Sequence, residues 1–341
     1  MNITPICAAL VSITLSALTA CGVSDALPAV AVSSTTAAVV RISTSGLSSE
    51  SLRQSVDSFA PMLSKSTIPQ LAQGAQMLTE QSAEFDPAKN EEMRRLDETM
   101  AAMRQINAKA VYILADGTAA STMPETMTAL PIEQDGIMIL VQTNSTRSQS
   151  DIQSLVGRAF NVAVMVESLG QGWYWLKADA SQTLPAVPDI SGARQLDVAL
   201  NALAPSAVSV GMRVTAEVRE ACATALESDE SGMAMFLGGF IEPLTKLSSI
   251  SASIGFGSNP TMCTAMTFET KEAAGEFNSA WASTTRSLFS MVGMMAAGGG
   301  KGEKKIDPKT FSAMATALAM VQDEAKLTMT LDDLAWKKLI P

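Results

Sequence analysis

Whatever this chain does chemically, it does without histidine, because none occurs in its 341 residues. That removes the commonest general base near neutral pH, the Ser-His-Asp and Cys-His nucleophiles, and imidazole-based zinc sites. No G-x-S-x-G occurs and no Ser stands three residues before a Lys, so the hydrolase elbow and the Ser-Lys pair are both excluded. Carboxylates remain. The acidic pairs Glu91-Glu92, Asp97-Glu98, Asp229-Glu230 and Asp332-Asp333 have the right chemistry for acid-base work or for calcium, yet none shows the alternating ligand spacing of an EF-hand loop. Asp97 and Glu98 stand among Arg94, Arg95 and Arg104 in a helical pattern, so pairing three or four residues apart on a solvated face is expected.

Glycine-rich stretches do not supply a phosphate or nucleotide site either. In Gly298-Gly299-Gly300-Lys301-Gly302 the leading position of a phosphate loop falls on Met295, and Gly302 stands where Ser or Thr belongs. It reads as a surface loop. Gly170-Gln171-Gly172 lacks the third glycine of a dinucleotide fingerprint and reads as a turn. No metal site and no cofactor are expected. Cys222, one helical turn after Val218 and one before Leu226, faces an apolar side, whereas Cys263 falls on a small-residue side. Both are expected to be buried and unpaired.

Candidate binding residues are apolar. Trp173-Tyr174-Trp175 holds half of the Trp and Tyr residues of a chain that is 5% aromatic. Such a cluster stacks on a sugar ring or anchors an interface, but because it precedes a Pro-rich joint the expectation is that it seals the junction between two folded units. Met291, Met294 and Met295 recur beside Leu288 and Val292 at helical spacing, and packed core is the expectation there over a soft ligand groove.

These residues must be positioned by two similar runs of elements. In the first, strands are expected over residues 37–43, 109–115, 137–143 and 162–167, with helices over 49–63, 68–104 (broken near Asp86-Pro87) and 148–160. A Pro-rich joint, Leu184 to Pro188, and a short helix over 192–203 lead into the second run. There, strands are expected over 207–214, 250–256, 261–269 and 326–331, and helices over 216–226, 233–247, 272–295 and 308–322. The order is βαββαβ twice, which suggests an internal repeat. The fold class expected is α+β: two tandem ferredoxin-like units, residues 37–183 and 184–341, each an antiparallel sheet with helices on one face.

Alternation distinguishes the two runs. Strands of the second set apolar residues such as Val208, Val210 and Ile254 against Ser209, Gly211 and Ser253, giving one apolar and one small or hydroxyl-bearing face. In the first run both faces are apolar, with Tyr112, Met138 and Leu140 opposite Val111, Ile113 and Ile139. That second face must be covered, by the other unit or by a partner, which makes Tyr112, Met138 and Leu140 candidate interface residues beside Trp173, Tyr174 and Trp175. The long connection from Asp116 to Asp135 is a candidate binding loop.

At the N-terminus, Ile6 to Leu18 is an apolar run of signal-peptide length, too short to span a bilayer, and it ends in Leu18-Thr19-Ala20-Cys21. This resembles the lipobox of bacterial lipoproteins. The resemblance implies a signal peptide over residues 1–20, cleavage before Cys21, and acyl chains on Cys21 that anchor the protein in a membrane. Gly22 stands where an Asp would imply inner-membrane retention, so the outer membrane is preferred, on its periplasmic face; an extracellular location remains open. A plain secretory leader is the alternative. Residues 21–36, small and polar with Pro28, read as a flexible tether.

Composition fits that address. A net charge of −10 argues against nucleic acid and against electrostatic docking on anionic lipid, and two or more acyl chains suffice for stable anchoring. Three function classes remain. A non-catalytic structural or protein-interaction role in the cell envelope, with an envelope protein as partner, is preferred. A carrier of an apolar ligand, lipid or peptide, is the alternative. An enzyme working without histidine is third, because no convergence of Asp or Glu is visible.

Overall fold

The computed structural model describes residues 26–64, 83–117, 134–144, 149–160, 163–204, 206–216, 218–219, 234–297 and 308–339. Among the described residues ten strands are present: β1 Thr36–Ser43, β2 Ala108–Asp116, β3 Ile137–Thr143, β4 Met165–Gly170, β5 Trp173–Lys177, β6 Val208–Arg213, β7 Leu247–Gly255, β8 Thr261–Phe268, β9 Val321–Asp323 and β10 Lys326–Leu331. The helices are α1 Ser49–Ser64, α2 Glu91–Gln105, α3 Gln149–Phe160, α4 Ile190–Leu200, α5 Ala234–Leu244, α6 Lys271–Ala297, α7 Pro308–Ala317 and α8 Asp333–Leu339. The class is α+β. One antiparallel sheet runs in the order β4-β5-β3-β2-β1-β6-β7-β8-β10-β9.

Two strands exceed the expectation. β5 forms a hairpin with β4, and β9, expected as the end of a helix over 308–322, forms one with β10. The repeated element order is therefore βαββαββ, and the pairing repeats with it: β1-β2-β3-β5-β4, then β6-β7-β8-β10-β9. The expected ferredoxin-like units do not emerge from this pairing. A split βαβ keeps another strand between the two that flank its helix. Here β1 and β2 bond directly and antiparallel, with Val40 opposite Ile113, because the chain reverses between them. A second antiparallel pair, β1 with β6, sets Val40 opposite Val210.

Two compact units emerge, and β6 and α4, expected to open the second, belong to the first. The N-terminal unit comprises the described parts of residues 1–55, 81–213 and 251–258. One face of its sheet is a dry core of Val40, Ile42, Val111, Ile113, Ile139, Val141, Tyr174 and Leu176, packed under Met100 and Met103 of α2 and Ile152 and Val156 of α3. Period-two alternation in the strands and three-to-four spacing in the helices put these side chains on facing surfaces. Ser48 Oγ accepts from Ser51 N at 3.1 Å to start α1, and Asn90 Oδ1 accepts from Glu92 N at 2.8 Å to start α2. The β4–β5 hairpin turns through Gln171 and Gly172, with φ of 51° and 80°, the double positive pair of a two-residue turn. A Cβ on Gly172 would lie 2.6 Å from the Thr143 carbonyl oxygen, so only glycine fits there.

The second unit comprises the described parts of residues 56–80, 214–250 and 259–341. Phe240, Phe268, Phe277 and Leu327 form its core, with Phe277 packed against Phe240 and Phe268 at ring separations of 5.0 and 5.4 Å. Trp281 Nε1 donates to the Leu318 carbonyl at 2.7 Å, tying α6 to the end of α7. Asp332 Oδ1 accepts from Ala335 N at 2.8 Å and so caps α8, an element the sequence reading omits. The other face of β8 and β10 carries Cys263 opposite Thr330 and Ala265 opposite Thr328; Cys263 is half-buried and its thiol is free.

Candidate functional site

The second face of the N-terminal unit's sheet gathers five of the six proposed interface residues. Tyr112 of β2, Leu140 of β3 and Trp173 and Trp175 of β5 are buried in one cluster, with Met138 half-buried against it. Tyr174 points the other way and belongs to the dry core. Register explains the grouping: Tyr112 lies opposite Leu140, and Leu140 opposite Trp175. The Tyr112 and Trp173 rings meet at 4.8 Å with a 54° tilt. Lys177 stands 4.6 Å over the Trp175 ring and pairs with Glu167 at 3.1 Å.

Cover for this face comes from the chain itself. Helix α4 lays Ala193, Leu196 and Leu200 on it, and the segment before β1 adds Leu27, Ala31 and Val32, all buried. Residues 27–32 are thus a packed strap and no flexible tether. The surface read as meeting another unit or a partner is filled from within. Small side chains admit the helix: a Cβ on Gly211 would come 2.9 Å from Leu200 N, and Ser251 Oγ donates to the Ala199 carbonyl at 2.7 Å.

This face is also where the unit buries charge. Arg213 of β6 pairs with Asp189 at 2.6 Å and donates to the carbonyls of Ser33 at 3.0 Å and Ser34 at 2.5 Å. Asp189 caps α4 by accepting from Gly192 N at 2.8 Å, and the strap is closed by Asp189 N donating to the Val32 carbonyl at 2.7 Å. The Arg213 guanidinium, seconded by the Gly192 amide, holds the Asp189 carboxyl below its ordinary pKa. A Cβ on Gly192 would fall 2.0 Å from a guanidinium nitrogen, so glycine is obligatory there.

Arg41 of β1 is buried beside neutral acceptors, Asn201 Oδ1 at 3.2 Å and Ser209 Oγ at 3.4 Å. The Nε atoms of both arginines are buried without a hydrogen-bond partner. Asp197 of α4 receives the Leu27 amide on both carboxylate oxygens at 3.0 Å. Burial pushes its carboxyl above the ordinary range, against the opposing pull of the Leu27 amide and of Arg41. Sequence reasoning missed Arg41, Asp189, Asp197 and Leu27. One signal was available: Arg41 interrupts the otherwise apolar run Ala37 to Ile42, where a charge facing a core must find polar company.

Members of the described acidic pairs make local contacts. Glu91 and Glu98 pair with Arg94 at 2.5 Å each, as the spacing predicts, but Asp97 instead accepts from Ser49 N at 2.9 Å and Ser49 Oγ at 2.5 Å, fixing the start of α1. Asp333 pairs with Lys337 at 2.5 Å. On α6, Leu288 and Met291 are exposed where the sequence predicts packed core, and the side chains of Val292, Met294 and Met295 lie outside those described. Cys21 and the signal peptide, Cys222, Asp229-Glu230, Gly298 to Gly302 and most of the Asp116 to Asp135 connection lie outside the described residues. Among the described residues no group of three or more His, Cys, Asp or Glu is placed to hold a metal, and no helix is long and apolar enough to cross a membrane. Comparison with family models, curated proteins and solved structures gives no match.

Proposed function

We propose that the chain is a lipid-anchored lipoprotein of the cell envelope, with acyl chains on Cys21 and a structural or protein-interaction role in place of catalysis. The observation that carries this reading is the fixed start of the folded body. Leu27 is locked by Asp197 and buried beside Trp173 and Trp175, six residues after a lipobox cysteine. A cleaved and acylated Cys21 would thus be joined almost directly to a packed domain. Three charged groups on the covered face hold the strap, α4 and the segment before β1: Asp189 and Asp197 anchor backbone amides, and Arg213 holds carbonyls of the segment before β1. The repeated β1-β2-β3-β5-β4 order supports descent of both halves from one duplicated βαββαββ element.

Growth with an alkyne fatty acid tests the anchor. The wild-type chain is expected to carry the label and to sediment with membranes, while Cys21→Ser loses the label. Recovery of the native chain with Met1 intact, unlabelled and in the cytosol overturns the reading.

A further inference from the structure

The lipid anchor, if attached, leaves the folded body little freedom. Leu27 follows Cys21 by six residues, and a fully extended chain covers about 3.3–3.6 Å per residue, so Leu27 stays within roughly 20 Å of the acylated cysteine. A domain of about 200 residues has a radius of gyration of about 16 Å. Leu27 is part of the packed body, not of a free tail. Some surface next to the strap must therefore remain near the headgroups.

The surface found there carries most of the unit's exposed large hydrophobic side chains. Among the described residues of the N-terminal unit, six large hydrophobic side chains are exposed, and four of them are Val30 at 41%, Val187 at 80%, Ile190 at 73% and Val198 at 56%. Val30 sits in the strap, Val187 just before α4, and Ile190 and Val198 on α4 itself. Concentration of this kind distinguishes a contact surface from ordinary scatter. Helix α4 is built for two environments. Ala193, Leu196, Ala199 and Leu200 are buried on one side, while Ile190, Arg194 and Val198 recur every four residues on the exposed side with Ser191 and Gln195 between them. Arg194 is the only charged residue on that exposed arc, because Asp189 is engaged by Arg213 and Asp197 by the strap. An apolar stripe with one arginine suits the boundary between acyl chains and phosphates.

We propose that the outer side of α4, with Val187 and Val30, rests on the phospholipid interface to which Cys21 is tethered, so that the body lies against the bilayer. The inference rests on the lipoprotein reading above. Zwitterionic lipid is the fitting surface, since a net charge of −10 is repelled by anionic headgroups. An apolar face of this kind sinks roughly 5–10 Å into the interface.

The test places a tryptophan at Ile190, at Val198 or, as a control, at Arg95, which is exposed on α2 over the opposite face of the sheet. Each full-length variant, acylated in cells grown with the alkyne fatty acid, is purified and reconstituted into phosphatidylcholine vesicles with or without brominated acyl chains. With the fatty-acid label present, bromolipid is expected to quench the added fluorescence of Ile190→Trp and Val198→Trp about twofold or more and to leave that of Arg95→Trp unchanged. Labelled protein with all three unquenched overturns the proposal and leaves the anchor standing. Equal quenching at all three overturns it too, since no side is then preferred. Absence of the fatty-acid label overturns the lipoprotein reading, and this inference falls with it.

Discussion

The two faces of the N-terminal unit's sheet share strands β1, β2, β3 and β5 and yet are different kinds of interior. One is an apolar cluster whose single fully buried ring is Tyr174, and it is roofed by α2 and α3. The other mixes Tyr112, Trp173 and Trp175 with buried Arg41, Gln142, Lys177 and Arg213, and is roofed by α4 and the strap. A dry face is held by area alone, and any well-shaped helix can cover it. A polar and aromatic face needs acceptors at particular places, so its cover is specific: Asp189, Asp197 and the carbonyls of Ser33 and Ser34 each answer a particular donor. The difference shows how one sheet can bury both sides under cover supplied by its own chain.

The sharpest way to break that comparison is Trp175→Ala. If the mixed face is interior, the loss should be about 3–5 kcal/mol, as large as truncating a buried aliphatic on the dry face, read as a lower urea midpoint. A cost below about 1 kcal/mol would mean that Trp175 is a surface anchor after all.

Next in size comes Asp189→Ala, which strands the Arg213 guanidinium and removes the cap of α4. A cost of about 3 kcal/mol is expected at neutral pH, toward the lower end for breaking a buried pair because Asp189 is 23% exposed. The carboxyl is held below its ordinary value, so the stability it contributes is complete above the unfolded value near 4 and is lost as pH falls through the lower folded value. Urea midpoints of wild type and variant should therefore converge under acid. A gap that persists unchanged at the most acidic measurable pH would assign the effect to packing alone.

What the sequence made legible follows from range. Strands β1, β2, β3, β6 and β8 and helices α1, α3 and α6 were readable because alternation and caps are local signals. Trp173-Tyr174-Trp175 reads as an aromatic cluster and not as the start of β5, because all five residues of that strand are buried and no polar alternation marks it. Val321 to Asp323 is too short to announce itself. The strap reads as a tether because Pro28, Ala29, Ala31 and Ser33 have a linker's composition; the same small residues let a segment pack closely. Strand order, the seat of α4 and the Asp97–Ser49 contact join residues far apart in the chain, and no local pattern encodes them. The aromatic residues were picked out as a group, but their burial depended on cover supplied by residues 27–32 and 190–200.

The smallest effect should come from Arg41→Met, and it tests why the mixed face is charged at all. Arg41 has neutral oxygens as its hydrogen-bond acceptors and a buried Nε without one, so desolvation offsets much of what its bonds contribute. Methionine fills similar space, and a change within about 1 kcal/mol of wild type is expected. The informative quantity is the titration of Asp197. Burial already raises its carboxyl, and Arg41 opposes that rise. Without the cation the folded value should climb further. A raised folded value means that the native state binds the extra proton between the unfolded and folded values, so stability falls as pH rises through that window. The fall should be larger in Arg41→Met than in wild type, and carboxyl titration by NMR should place Asp197 higher. An unchanged titration would show that Arg41 does not act on Asp197, and that the hold of the Asp197 carboxylate on the Leu27 amide is independent of that cation.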